Sequence, residues 1–228
     1  MASKHIVFSF AAFAAFAAAS AAQAQVGAAV TADIGTTGLG LHLVVPMETT
    51  LNGRFGINYF KHDFDKRSGQ VDYKLDGKLM TFDALFDWYL ISNSNFRLTG
   101  GLMYNGSRFD ALGKPAADGK FTFNGKTYTA ADVGTLRGEV RFRRAAPYLG
   151  IGWGNALTPN KRWNFQTDLG VYHQGKAQVK LGSWGCTTSA TVCNALVRDL
   201  DVEEVRLTDE VSDYKLYPVL RASVSYSF

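Results

Sequence analysis

Past its first two dozen or so residues this sequence has no apolar run of roughly eighteen, which excludes a membrane-spanning helix. It also lacks any Pro-rich, Ser-rich or charge-run stretch that would divide it, and a chain of about 200 residues is the size of one all-β unit. Cysteine is nearly absent. Cys186 and Cys193, in CTTSATVC, are the only two, at a spacing that does not suit a zinc knuckle and without a nearby His to complete one. They are expected to form a local disulfide pinching a loop, which stabilises by about 2 to 3 kcal/mol through chain closure. No charge dominates: the net charge is +4, and +3 once Lys4 is set aside, too mild and too dispersed to favour nucleic acid. No metal or cofactor is expected, because Asp63-Phe64-Asp65 lacks the further acids and the Gly of a calcium loop.

What is present begins with a leader. Lys4 and His5 precede IVFSFAAFAAFAAASAA, and Ala22-Gln23-Ala24 supplies the small-x-small pattern of a cleavage site. Residues 1–24 therefore read as a secretory signal peptide, so the chain is expected to be exported and to begin near Gln25. Period-two alternation then recurs along the sequence. It runs through VGAAVTADI, LGLHLVV, RFGINYF, KLMTFDALFDWYL, FRLTGGLMYNG, LRGEVRFRRAAPYLGIGW, WNFQTDLGVYH and the closing YPVLRASVSYSF, eight segments in all. Within the sixth, Val140 and Phe142 are apolar at even positions but Leu149, Ile151 and Trp153 at odd ones, which predicts a bulge near residues 143–147. Between the fifth and sixth segments, FTFNGKTYT predicts a small hairpin turning at Asn124-Gly125.

A soluble antiparallel sandwich alternates in the same way. Four features favour a transmembrane antiparallel up-and-down β-barrel of eight strands over residues 25–228. Aromatics (Tyr59, Phe60, Trp88, Tyr89, Tyr104, Trp153, Trp163, Tyr226, Phe228) gather near strand ends, as an interfacial girdle requires. Connections alternate short and long: METTLN, SNSN and GNALTPNKR are brief, while those after segments three, five and seven are extended. Charged residues sit mid-strand opposite the apolar face. The export signal and the terminal aromatic complete the set.

PYLGIGWGN (147–155), FNGKTYTAADVG (123–134), LYPVL (216–220) and the final Tyr-Ser-Phe resemble small proteobacterial outer-membrane β-barrel proteins of the porin-like superfamily. The resemblance implies location in the cell outer membrane of a Gram-negative bacterium, and outer-membrane lipid and lipopolysaccharide as surroundings. It further implies that Tyr226 and Phe228 form a signal read by the barrel-assembly machinery. It brings almost no activity with it.

An eight-stranded barrel has room inside only for side chains, so no wide pore is expected. Asp33, His42, Arg54, Asp83, Asp87, Arg97, Glu139, Arg141, Asp168, Tyr172 and Arg221 are the inward-facing candidates, paired into a polar network; a charged constriction in a narrow solute path is the alternative. His62-Asp63, with Ser68 nearby, faintly resembles the rim of lipid-modifying outer-membrane enzymes, but nothing in the spacing is diagnostic and no catalytic residue is assigned. Residues 195–214 drop the period of two. Leu196, Leu200, Leu207, Val211 and Tyr214 mark a helix there, with seven acids and two arginines, a net −5 that leaves +8 on the rest of the exported chain. This acidic helix is expected to cap or partly enter the barrel mouth. The sequence as a whole predicts a monomeric, non-enzymatic barrel with a structural or surface-interaction role, a narrow uptake route for small or apolar solutes being the second reading.

Overall fold

The structure, a computed structural model, describes residues 27–68, 71–92, 94–114 and 119–228; the expected signal peptide lies outside these residues. The elements in chain order are β1 (Ala29–Gly35), β2 (Gly38–Glu48), β3 (Leu51–Ser68), β4 (Val71–Trp88), β5 (Phe96–Asn105), β6 (Arg108–Lys114), β7 (Lys120–Phe123), β8 (Lys126–Thr129), α1 (Ala130–Val133), β9 (Thr135–Arg141), β10 (Ala145–Trp153), β11 (Trp163–His173), β12 (Gln178–Trp184), α2 (Ala190–Glu210) and β13 (Leu216–Ser227).

Strands β1 to β5, β10, β11 and β13 pair antiparallel in that order, and β13 returns to β1 with Val224 opposite Ala32. The result is a closed eight-stranded up-and-down barrel. Its inside and outside are reversed relative to a water-soluble protein. Phe165 is 80% exposed and Leu102 61%, whereas Arg54, Arg97 and Arg221 are at most 2% exposed. A surface of Leu39, Leu41, Ile57, Phe86, Leu149, Leu169 and Leu220 costs little only against hydrocarbon. Aromatics bound this belt at both ends. Trp163 lies edge-on to Tyr226 at 5.1 Å and Phe96 to Trp153 at 6.3 Å at the end where β13 finishes; Tyr59 and Tyr104 mark the far end, while Phe60, expected in the same girdle, faces inward. Tyr89 departs from the expected girdle, because it turns inward and its hydroxyl donates to the Gly154 carbonyl at 3.3 Å.

The start of β1 and the end of β13 share their end of the barrel with the connections from β2 to β3, β4 to β5 and β10 to β11. At the far end the strands do not stop where the belt stops. β3 and β4 stay paired from Lys61–Lys78 out to Ser68–Val71, so the connection expected as an extended loop is a continuing hairpin. β6, β9 and β12 prolong β5, β10 and β11 beyond breaks at residues 106–107, 142–144 and 174–177, and join β4 in a sheet that rises from one side of the barrel. Where the sequence predicts a bulge near 143–147 that shifts the phase, the strand is instead interrupted at 142–144, and even positions face inward on both sides of the interruption.

Register carries the lumen face of the barrel into one face of this extension, the face of Leu136 and Leu181. On it sits a separate apolar core of Phe121, Phe123, Tyr128, Val133, Leu136, Leu196 and Leu200, contributed by the β7–β8 hairpin, α1, β9 and α2. The hairpin turns at Asn124 and Gly125, with φ of 49° and 73°, the left-handed pair a two-residue connection needs. Helix α2 is capped by Ser189, whose side chain accepts from Val192 N, and is tethered by the Cys186–Cys193 disulfide at a Cα separation of 6.0 Å. It also covers the outer edge of β12: Val179 N donates to Thr208 Oγ1 at 3.3 Å and Leu181 N to Glu204 Oε2 at 3.0 Å. The helix thus docks on the extension and does not enter the barrel, as its apolar stripe is spent on the hairpin.

Leu169 faces outward near the middle of β11. The substitution Leu169→Arg is expected to cost about 2–4 kcal/mol, the price of a guanidinium at mid-bilayer, measured by urea titration of folding into lipid vesicles; Gln166→Arg, on the inner face, tests whether the cost belongs to the lipid side.

Candidate functional site

The lumen is filled in layers. Nearest the termini, the 154–162 turn folds in: Ala156 packs with Ala29 and Val44, Asn52 Nδ2 donates to Asn155 Oδ1 at 3.2 Å, and Asn164 Nδ2 donates to the Ala156 carbonyl at 3.2 Å. Arg97 Nη1 donates to the Gly154 carbonyl. This plug was not legible in the sequence, where GNALTPNKR reads as an ordinary turn.

Above it lies a cluster of two arginines and two aspartates. Arg54 grips Asp168 with both terminal nitrogens, at 3.0 and 3.1 Å, and reaches Asp87 Oδ1 at 3.1 Å. Arg97 Nη2 meets Asp168 Oδ1 at 2.7 Å, and Thr99 Oγ1 donates to Asp87 Oδ1 at 2.7 Å. A second cluster follows. His42 presents Nδ1 to Asp33 at 2.7 Å and Nε2 to Asp83 at 3.1 Å, an arrangement suited to a ring with two N–H donors. Arg221 Nη2 meets Asp83 Oδ2 at 2.7 Å, and Asn58 Nδ2 donates to the same oxygen at 3.0 Å. With both His42 nitrogens protonated each cluster is neutral, the condition under which a buried set of charges is tolerable.

Space for these side chains comes from residues that have none. A Cβ on Gly40 would stand 2.4 Å from Asp33 Oδ1, one on Gly56 2.3 Å from the His42 ring, and one on Gly152 2.8 Å from Arg97 Cζ. Toward the far end, Leu85, Met103, Ala146, Tyr148, Tyr172 and Val219 form an apolar layer, with Tyr172 stacked on Tyr217 at 4.9 Å.

The structure therefore brings together Asp33, His42, Asp83 and Arg221, and separately Arg54, Asp87, Arg97 and Asp168. Glu139 and Arg141 are a correction: they lie on β9 in the extension, facing away from the lumen and bonded to each other at 2.6 Å. Odd positions face outward in β9 as they do in β10, but above the belt the outward face meets water and the inward face an apolar core, so the polar residues stand outside. Tyr226 and Phe228 lie at the terminal rim, Phe228 70% exposed. His62 stacks on Phe60 at 6.1 Å on the inner face of β3, whereas Asp63 faces outward, so the two do not converge; the side chain of Ser68 lies outside the described residues.

The external unit has its own polar anchor. Asp199, 4% exposed in the middle of α2, accepts from Tyr128 Oη, from Asn124 Nδ2 at 3.0 Å and from Lys126 Nζ at 3.0 Å. These donors, Tyr128 first, hold its carboxyl down at about 2, and burial together with that carboxylate pushes the Tyr128 hydroxyl up to about 12. One side chain thus ties the helix to the turn and the second strand of the hairpin.

No family model matches the sequence, and no curated protein does. Solved structures share the fold, two of them from one organism. CarO2 of Acinetobacter baumannii superposes with a TM-score of 0.57 at 19% identity, covering 89% of this chain and 99% of that one. CarO of the same organism gives 0.52 at 23% identity, covering 89% and 97%. At such identities the likeness establishes the barrel fold, and nearly the whole of both chains takes part in it.

Two outcomes test the site. Asp168→Ala leaves Arg54 and Arg97 short of a counter-charge in a closed lumen, and is expected to cost about 3–5 kcal/mol in equilibrium urea unfolding. Asp199 has a depressed pKa, so its contribution is complete above its ordinary value near 3.8 and is lost as pH falls toward about 2. Amide protection factors in the β7–β8 hairpin are expected to hold from pH 7 to 5 and to drop below about 4, and Asp199→Asn removes that drop.

Proposed function

We infer that the protein is an integral outer-membrane barrel whose membrane part is an anchor and whose external unit is an interaction surface. The observation that carries this reading is the filled lumen: plug turn, two neutral ion clusters and an aromatic layer succeed one another between the two ends. A charged group crossing such a lumen would have to break ion pairs worth several kcal/mol each when half-removed. Against this, the external unit has what a presented surface needs, its own apolar core, a disulfide and a buried carboxylate anchor. The chain is read as a monomer inserted by the barrel-assembly machinery through its Tyr226–Phe228 signal.

A second reading, uptake of small or apolar solutes through the wall, is favoured by one feature. The strand breaks at 142–144 and 174–177 fall side by side and leave a cleft where β9 and β12 part from β10 and β11.

Planar bilayers containing the refolded chain are expected to show no discrete conductance steps, and proteoliposomes are expected to swell in small amino acids or sugars no faster than protein-free ones. Conductance steps would overturn the anchor reading; swelling without conductance would favour the wall route over it.

A further inference from the structure

Beyond the lipid belt, strand pairing lays charge in rows. Lys61 stands opposite Lys78, Lys78 opposite Arg108, and Arg108 opposite Arg141. One pleat further out, Asp63 faces Asp76, Asp76 faces Asp110, and Asp110 faces Glu139. Alternation puts both rows on the outer face, directly above Tyr59 and Met80, which are 48% and 42% exposed. Like charges directly opposite one another destabilise a sheet, and here two successive rows do so. Contacts between the rows, such as Lys61–Asp76 and Arg108–Asp110 at 3.0 Å, join half-exposed side chains and offset little of this. The effect is to sort charge by height, with cations next to hydrocarbon and anions away from it.

The cationic row ends at a basic cleft. Arg141 lies opposite Gln178, and just below that pair the ladder breaks. Arg143, Lys176, Lys215 and His173, with Phe142 and Gln178, line a cleft of roughly 470 Å³. Among the described residues no carboxylate pairs with Arg143, Lys176 or Lys215. The cleft opens on the outer surface beside Leu216, which is 59% exposed and begins the lipid-facing run of β13.

We propose that this rim and cleft bind the phosphate groups of a phosphorylated glycolipid in the outer leaflet. Cations at the edge of a hydrophobic belt meet lipid phosphates at that height, each adding attraction over a short range. Arginine and lysine in a shared cleft suit a phosphate monoester. A free phosphate has the same chemistry, but it does not account for the placement of the cations against the belt. The proposal rests on the barrel spanning the membrane with its extension outward, which insertion into neutral vesicles with heat-modifiable mobility tests by itself.

The test uses the refolded exported chain in detergent micelles, with bisphosphorylated lipid A, dephosphorylated lipid A and inorganic phosphate as probes, and native mass spectrometry to count retained ligand. Bisphosphorylated lipid A is expected to be held at least about tenfold more tightly than the dephosphorylated form, with the difference shrinking as salt rises. The Arg143→Ser, Lys176→Ser, Lys215→Ser triple variant is expected to lose on the order of a hundredfold, and Lys161→Ser, at the opposite rim, to lose nothing. Equal retention of the two lipids by the wild-type chain would overturn the proposal without reference to any variant. So would undiminished binding by a folded triple variant, or protection by inorganic phosphate at concentrations matching the lipid, which would assign the cleft to a soluble anion.

Discussion

Everything in this molecule follows from the fact that hydrocarbon cannot accept a hydrogen bond from a backbone amide. A sheet placed there has no tolerable edge, so β13 must find β1, and once it does the chain has an inside that lipid never touches. Period-two alternation is then a statement about two different solvents. The outward residues face acyl chains, and the inward ones face each other. Because the enclosed space is only a side chain or two across, arginines, aspartates and a histidine there have no water to fall back on and must neutralise one another. The glycines at 40, 56 and 152 belong to the same logic, since each lies where a neighbouring strand projects a large charged group into the lumen.

The spanning strands were legible because this contrast of solvents writes itself into the sequence. FRLTGGLMYN and WNFQTDLGVYH keep strict time, and the closed barrel uses them almost as read. The upper halves of β3 and β4 were not legible, although their geometry is the same. At Lys61, Asp63, Asp76 and Lys78 water wets the outer face, so charges take the place that leucines hold below and the oily-wet rhythm disappears. Glu139 and Arg141 fell to the same cause: odd residues face outward in β9 as in β10, but β9 lies above the belt where that face is wet, so the switch of apolar residues from odd to even positions was visible where its meaning was not. Helix α2 announced itself by its leucine spacing, but its partner, the β7–β8 hairpin, lies some seventy residues upstream and shares no local signal with it.

Charge rows illustrate a second limit. Lys61, Lys78, Arg108 and Arg141 are scattered in the chain, and only the register of four strands sets them side by side. Composition could report a mildly basic protein with an acidic helix. It could not report that positive charge is gathered at one height and negative charge at the next, which is a property of pairing rather than of content.

The way α2 sits along β12 has a consequence for life in a crowded leaflet. Outside the bilayer the extension's sheet ends in a strand with unspent amides, the template onto which a neighbouring chain's strand can zip. Thr208 and Glu204 occupy those amides with side-chain oxygens, and a side chain cannot propagate a ladder as a backbone would. Many copies can therefore stand shoulder to shoulder without fusing into fibres along that edge, and the helix acts as a guard rail as much as a display.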